Sequence, residues 1–312
     1  MSIKIAAFPK CFEYDIGLHH SMSVFDWISM AGAELDVEGL EIYDRFLTRL
    51  DRAYLHQVAE AVHEAGFVVP MFLCSPDFTH PDLDERKKAL DYEAKMIEVA
   101  CALGGPGTVC RILSGQQRPG VSREQGIEWV VDAIQQLIPM ARASGVVLAM
   151  ENHYKDSQWR FMEFALKKDV FLEIIKAIDE REYFGVQYDP SNAIVAGDDP
   201  LDLLAAVQDR VVSMHASDRY LKEDVTPEQI EQARAAMGYA PYLIHGVVGR
   251  GLNDYDRIFQ MLSAVGFQGW VSIEDGLNGL AEMQASVRYL QGLRDRYFPK
   301  PSCGVSKAGA KI

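Results

Sequence analysis

Short, almost uninterrupted apolar runs recur along the chain, at Ile3–Phe8, Val37–Ile42, Phe67–Leu73, Thr108–Leu113, Val146–Met150, Phe184–Tyr188, Val211–His215 and Trp270–Ile273. Apolar residues that do not alternate with polar ones are what strands buried on both faces require, so these eight runs predict a parallel sheet. The stretches between them space their apolar positions three and four apart, as helices with one buried face do. Tyr54–Ala65, with Leu55, Val58, Ala59 and Val62, shows the pattern; Asp84–Leu103, Arg123–Ala143, Asp169–Ile178, Pro200–Gln208, Tyr255–Val265 and Ala281–Arg296 repeat it. A further helix is placed near Val24–Ala31. Gly66, Gly104–Gly105, Gly145 and Gly266 stand where helices should stop, because glycine accepts the left-handed conformation that ends them.

Eight strand-then-helix units predict an α/β fold, a (β/α)8 TIM barrel, as a single domain over residues 1–298, with 299–312 a frayed tail. A doubly wound open sheet is the competing architecture, but no G-x-G-x-x-G follows the first strand. Two connections exceed the usual length. Glu151–Lys168 follows the fifth strand; Ala216–Gly251 follows the seventh and holds an expected helix at Pro227–Met237, with Thr226 as its N-cap. The second should cover the pocket mouth or form a subunit contact.

Charge and cysteine usage narrow the class. The chain carries 45 Asp and Glu against 31 Lys and Arg, a net charge of −14 that opposes nucleic acid and anionic lipid. No apolar run reaches the ~18 residues of a membrane span, and the start, MSIKIAAFPK, turns polar too soon for a signal peptide. Five scattered cysteines with no C-x-x-C pair fit a reducing cytoplasm. The expectation is a cytoplasmic protein with a small-molecule partner and neither a nucleic-acid nor a membrane partner.

A barrel sets its active site at the C-terminal ends of its strands. Strands five to eight end in LAMENH, QYDP, SMH and SIED, so four consecutive strands deliver Glu151, Asp189, His215 and Glu274 to one rim. Three carboxylates at one point repel unless neutralised. Hard oxygen donors plus one imidazole suit a divalent metal: Mn2+ first, with Mg2+, Co2+ or Zn2+ as alternatives.

In the contexts LAMENH, VQYDPSN, SMHASD and SIEDG, and with the G-x-G-x-x-D-Y run at Gly249–Tyr255, the chain resembles the xylose-isomerase-like TIM-barrel superfamily of metal-dependent sugar phosphate isomerases and epimerases. The resemblance covers nearly the whole chain. It implies Glu151, Asp189, His215 and Glu274 as metal ligands, and gives Glu151 and Glu274 a second role as proton carriers. The superfamily also includes DNA-repair endonucleases with a histidine-rich three-metal site. The third and fourth strand ends here, Leu73-Cys74-Ser75 and Arg111-Ile112-Leu113, lack those histidines.

The expected reaction is isomerisation or epimerisation of a keto-sugar or related polyol, by proton abstraction next to a metal-bound carbonyl through an enediolate. The alternative is a metal-dependent lyase on the same scaffold, either an inosose-type dehydratase or the catalytic subunit of a C-glycoside deglycosidase acting on 3-oxo-glycosides. His153 is a candidate base beside Glu151. Arg111, Arg219, His245 and Trp159 are candidate substrate contacts. The glycine-rich turn Gly246–Asn253 offers backbone N–H groups to an anion. A homo-oligomer is expected, or a hetero-oligomer with a small subunit under the lyase reading.

Overall fold

The computed structural model describes residues 3–299 apart from 224, 227, 230, 231, 233–241 and 275. One parallel sheet runs through β1 (Lys4–Ala7), β2 (Gly39–Leu40), β3 (Ile42–Tyr43), β4 (Met71–Leu73), β5 (Val109–Ile112), β6 (Val147–Glu151), β7 (Phe184–Tyr188), β8 (Val211–Ala216) and β11 (Trp270–Ile273), in the order β2-β1-β11-β8-β7-β6-β5-β4-β3. β2 and β3 are two halves of one stave, interrupted at Glu41. The first half pairs with β1 and the second with β4, so this stave closes the ring into the predicted (β/α)8 barrel.

The expected strands are all present, several of them shorter. Phe67–Leu73 keeps only Met71–Leu73, preceded by Pro70, which has no N–H to donate. The helix expected near Val24–Ala31 extends to Glu34 and starts from a capping box in which Ser23 and Asp26 satisfy each other's backbone N–H groups. Ser122 and Gln125 do the same for the helix Arg123–Ser144, which stops at Gly145 with φ of +73°. Helices Arg52–Glu64 and Leu83–Gly104 lie alongside and bury the apolar faces read from the sequence. No helix among the described residues is long and apolar enough to cross a membrane.

The long connection after β8 opens with an antiparallel hairpin, β9 (Asp218–Leu221) against β10 (Leu243–Gly246). Leu243 is buried with Ile194 and Val195, and Tyr154 packs against them, so the hairpin is seated on the rim of the barrel. Most of the expected helix Pro227–Met237, and the tail beyond 299, lie outside the described residues.

Candidate metal centre

The ends of β6, β7, β8 and β11 bring Glu151, Asp189, His215 and Glu274 together, with one donor atom of each within 4.8 Å of the others. His215 Nδ1 lies 3.2 Å from Glu151 Oε1 and 3.1 Å from Glu274 Oε2. Asp189 is placed by local chemistry. It caps the short helix Pro190–Ala196, accepting from the Asn192 N–H at 2.9 Å, while Pro190 supplies the helical φ at the first position. Ser217 Oγ donates to the same carboxylate at 3.0 Å, and Asn152 exchanges two hydrogen bonds with the Asp189 backbone.

The electrostatics of the cluster suit a cation. Burial, then Glu274 and Glu151, push the Asp189 carboxyl up to about 7. Burial alone would lower the His215 pKa, but Glu41, Glu274 and Glu151 raise it well above the usual value. Burial opposes ionisation of Glu151 and Glu274 as well; His215 and Arg111 lower the first, Lys10 and His215 the second. Carboxylates thus compete for too little positive charge. A divalent ion among these four donors would relieve that competition, and the three-oxygen, one-nitrogen set fits one.

Three residues that the sequence reading missed hold this cluster in place. Glu41, fully buried in the break of the second stave, lies 2.8 Å from His215 Nε2. If Glu41 accepts the Nε2 proton, the Nδ1 lone pair of the neutral ring is left for a metal beside the other ligands. Lys10 Nζ lies 3.1 Å from Glu274 Oε1, and Asn192 Nδ2 donates to Glu151 Oε1 at 3.3 Å. The run Val37–Ile42 holds two acids, Glu38 and Glu41, and the available signal for Glu41 was its place between Leu40 and Ile42 at the end of that run.

Over the cluster lies a cavity of about 470 Å3, lined by Asp189 and Glu274 and by Arg111, His153, Arg219 and His245 among others. Its size is that of a small-ligand pocket. Arg111 donates to Glu151 Oε2 at 2.9 Å and to Ser75 Oγ at 3.1 Å. Arg219 and His245 are cross-strand partners in the hairpin, so that connection does wall the pocket. Burial, then Arg219 and Lys10, hold the His245 pKa down at about 2, which keeps its ring neutral.

His153 Nδ1 lies 3.4 Å from Glu163 Oε2, and Glu163 in turn accepts from the Ser114 backbone and hydroxyl. Burial works against charge on His153, but Glu163 and Glu151 raise its pKa above the ordinary value. The ring is thereby oriented toward the cavity by a buried carboxylate. His153→Ala is expected to lower kcat/KM by at least about tenfold, or about 1.4 kcal/mol, with metal content unchanged. Steady-state kinetics with metal analysis on the same preparation checks this.

Two expectations need correcting. Trp159 does not line the cavity; it is buried within its own loop, its backbone N–H donating to Asp156 O. Asp156 ties that loop to the second stave through Tyr43 and Arg45 and to the end of β4 through Ser75, and the neighbouring Trp159 turns inward. The glycine-rich turn does not offer its amides to a ligand. Gly249 and Gly251 N–H both donate to Asp218 Oδ2 at 2.9 Å, and Asn253 N–H donates to Oδ1. The anion bound by the turn is the protein's own.

Comparison with known proteins agrees with this architecture. The chain is similar to an inosose dehydratase of Geobacillus thermodenitrificans, 20% identical over 182 residues, or 57% of this chain. That match spans 56%, about half, of the relative's length. It superposes on L-ribulose 3-epimerase with a TM-score of 0.71, at 12% identity over 99% of this chain and 100% of that one. On the IolI protein with a bound zinc atom the TM-score is 0.70, at 16% identity over 96% and 100%. At such identities these two structures share the fold. The profile of the xylose isomerase-like TIM barrel family matches residues 30–293, most of the barrel, and the chain belongs to that family.

Proposed function

We propose that the protein is a divalent-metal-dependent isomerase or epimerase of a keto-sugar or related polyol, with Glu151, Asp189, His215 and Glu274 as metal ligands. The carrying observation is that Glu151 and Glu274 flank one imidazole nitrogen, and each holds its free oxygen against its own cation. Arg111 and Lys10 keep the two carboxylates ionised, as a base that removes a proton from carbon must be. The metal, when bound, would polarise the substrate carbonyl and so acidify the adjacent C–H. One glutamate takes that proton, and the other, after first taking a proton from water, delivers it to the opposite face, which inverts the carbon; the proton removed then returns to water from the first glutamate. Arg111, Arg219 and neutral His245 present donors to the sugar hydroxyls. The likenesses to an epimerase and to a zinc-bound protein of the same fold support this reading, and manganese is the first ion to try.

A lyase reading is favoured by one specific feature, the His153–Glu163 pair. Elimination needs a group that protonates the departing oxygen or carbon, and a histidine raised in pKa and facing the cavity supplies one. The likeness to an inosose dehydratase supports the same reading. Proton NMR in D2O with Mn2+ and a panel of keto-sugars, inososes and 3-oxo-glycosides separates the two. Deuterium at carbon in a recovered stereoisomer is the expected result. Water or aglycone release without an isomer would replace the epimerase with the lyase. Neither outcome with any of the panel would remove both.

A further inference from the structure

On the outer face of the barrel wall, away from the cavity, three chemically active side chains converge. Side chains alternate along a strand, so Arg111 points into the barrel and its neighbour Cys110 points out toward the helix layer. Cys74 follows β4 and turns the same way. Glu93 comes from the helix Leu83–Gly104, which packs over both strands, and it belongs to that helix's buried face. All three residues are fully buried. The sulfurs are 3.9 Å apart. Glu93 Oε2 lies 3.2 Å from Cys74 Sγ, and Oε1 lies 3.5 Å from Cys110 Sγ. The Arg111 carbonyl oxygen is 3.2 Å from Cys74 Sγ.

We infer that Cys74, Glu93 and Cys110 form a second metal site, closed and structural, for a thiophilic divalent cation of the zinc type. The spacing is the first argument. Zinc bonds of about 2.3 Å to sulfur and about 2.0–2.2 Å to oxygen, at tetrahedral angles, set ligand edges of about 3.8 Å for S···S and about 3.5 Å for S···O. The sulfur separation of 3.9 Å matches its edge, each Glu93 oxygen faces a different sulfur at 3.2 and 3.5 Å so that a small turn of the carboxylate presents one oxygen to both, and the Arg111 carbonyl, 3.2 Å from Cys74 Sγ, is the neighbouring oxygen available as a fourth donor.

The second argument is cost. Among the described residues the hydrogen-bond donors to the Glu93 carboxylate are two thiols, which donate weakly. A carboxyl out of reach of water with only such partners is expensive to keep, and burial pushes its pKa up to about 8. A divalent cation offsets that cost. Binding displaces the protons of the two thiols and of Glu93, leaving three negative donors around a charge of two, beside the guanidinium of Arg111.

The site has a mechanical consequence. It would join β4, β5 and the helix above them directly behind Arg111. Arg111 Nε donates to the Cys74 carbonyl at 3.1 Å while its other nitrogens hold Glu151 and Ser75. A cation there braces the residue that orients a ligand of the open centre, without touching substrate.

The test uses the intact protein expressed in medium where cobalt replaces zinc, because a site this enclosed fills during folding. The expected result is a second equivalent of cobalt that resists chelator, with thiolate-to-cobalt charge-transfer absorption in the near ultraviolet. The open centre has no sulfur ligand and cannot produce that band. Asp189→Ala should lose the labile equivalent and keep the band. Cys74→Ser with Cys110→Ser should lose the band and the resistant equivalent, and keep cobalt at the open centre. Absence of the band from the wild-type protein overturns the site whether or not the variants fold. So does a Cys74–Cys110 disulfide in the unreduced protein, seen by mass spectrometry, or a band that survives the double substitution.

Discussion

Glu151→Gln and Glu274→Gln are each expected to suppress turnover by at least about 10²–10⁴-fold, the usual contribution of a general acid or base. Each change removes a negative metal donor as well as a proton carrier. The two should differ in stability. Glu151 is fully buried and faces the guanidinium of Arg111, which is itself nearly inaccessible. Loss of that charge strands a buried cation, and breaking such a pair by deleting one partner costs about 3–5 kcal/mol. The glutamine amide, which can still accept a hydrogen bond, makes this an upper bound. Glu274 meets Lys10 at a more open edge of the cavity, where water can take over. Thermal melts should therefore fall clearly for Glu151→Gln and little for Glu274→Gln, while both lose activity. Turnover near that of the parent in either variant, with metal retained, would remove that residue from proton transfer.

The parts of this site that could be read from the sequence share one property: each ends a short, largely apolar run. One acid or histidine at a strand's C-terminal end can be an ordinary solvated or ion-paired group, but four on successive strands converge on one rim, so Glu151, Asp189, His215 and Glu274 stood out. The barrel was legible for the same reason, since the runs that make its staves are largely apolar. Lys10 was not legible, because it sits in the loop after β1 and reaches Glu274 only through the closure of β1 against β11. Glu163 lies in a connection without periodicity, and its role depends on Ser114 and His153, far apart from each other in sequence. The glycine-rich turn was misread for a related reason. Its amides are real anion donors, but their partner, Asp218, is placed by the hairpin and not by local sequence.

Glu41 is the strongest case of a residue hidden by its neighbours, and it carries the second large expected effect. Its carboxylate sits at the break between β2 and β3, accepts from His215 Nε2, and leaves Oε1 without a hydrogen-bond partner among the described residues. A buried carboxylate held by a single bond is a poor stabiliser of a fold, so its value lies in what that bond does. By accepting the Nε2 proton it selects the tautomer whose Nδ1 lone pair faces Glu151, Asp189 and Glu274, and it makes that nitrogen a better donor. Removing such a partner typically costs about 10–100-fold in metal affinity. Glu41→Leu, which abolishes the bond, should weaken metal binding within that range. Glu41→Gln can still accept through its amide oxygen and should fall between Leu and the parent. Competition with a chelating dye measures the affinities. Activity of both variants should return toward the parent value at saturating metal, because the ligands themselves are intact. A residue that merely filled the break in the stave would behave in the opposite way: a lower melting temperature, unchanged metal affinity, and no rescue by added metal.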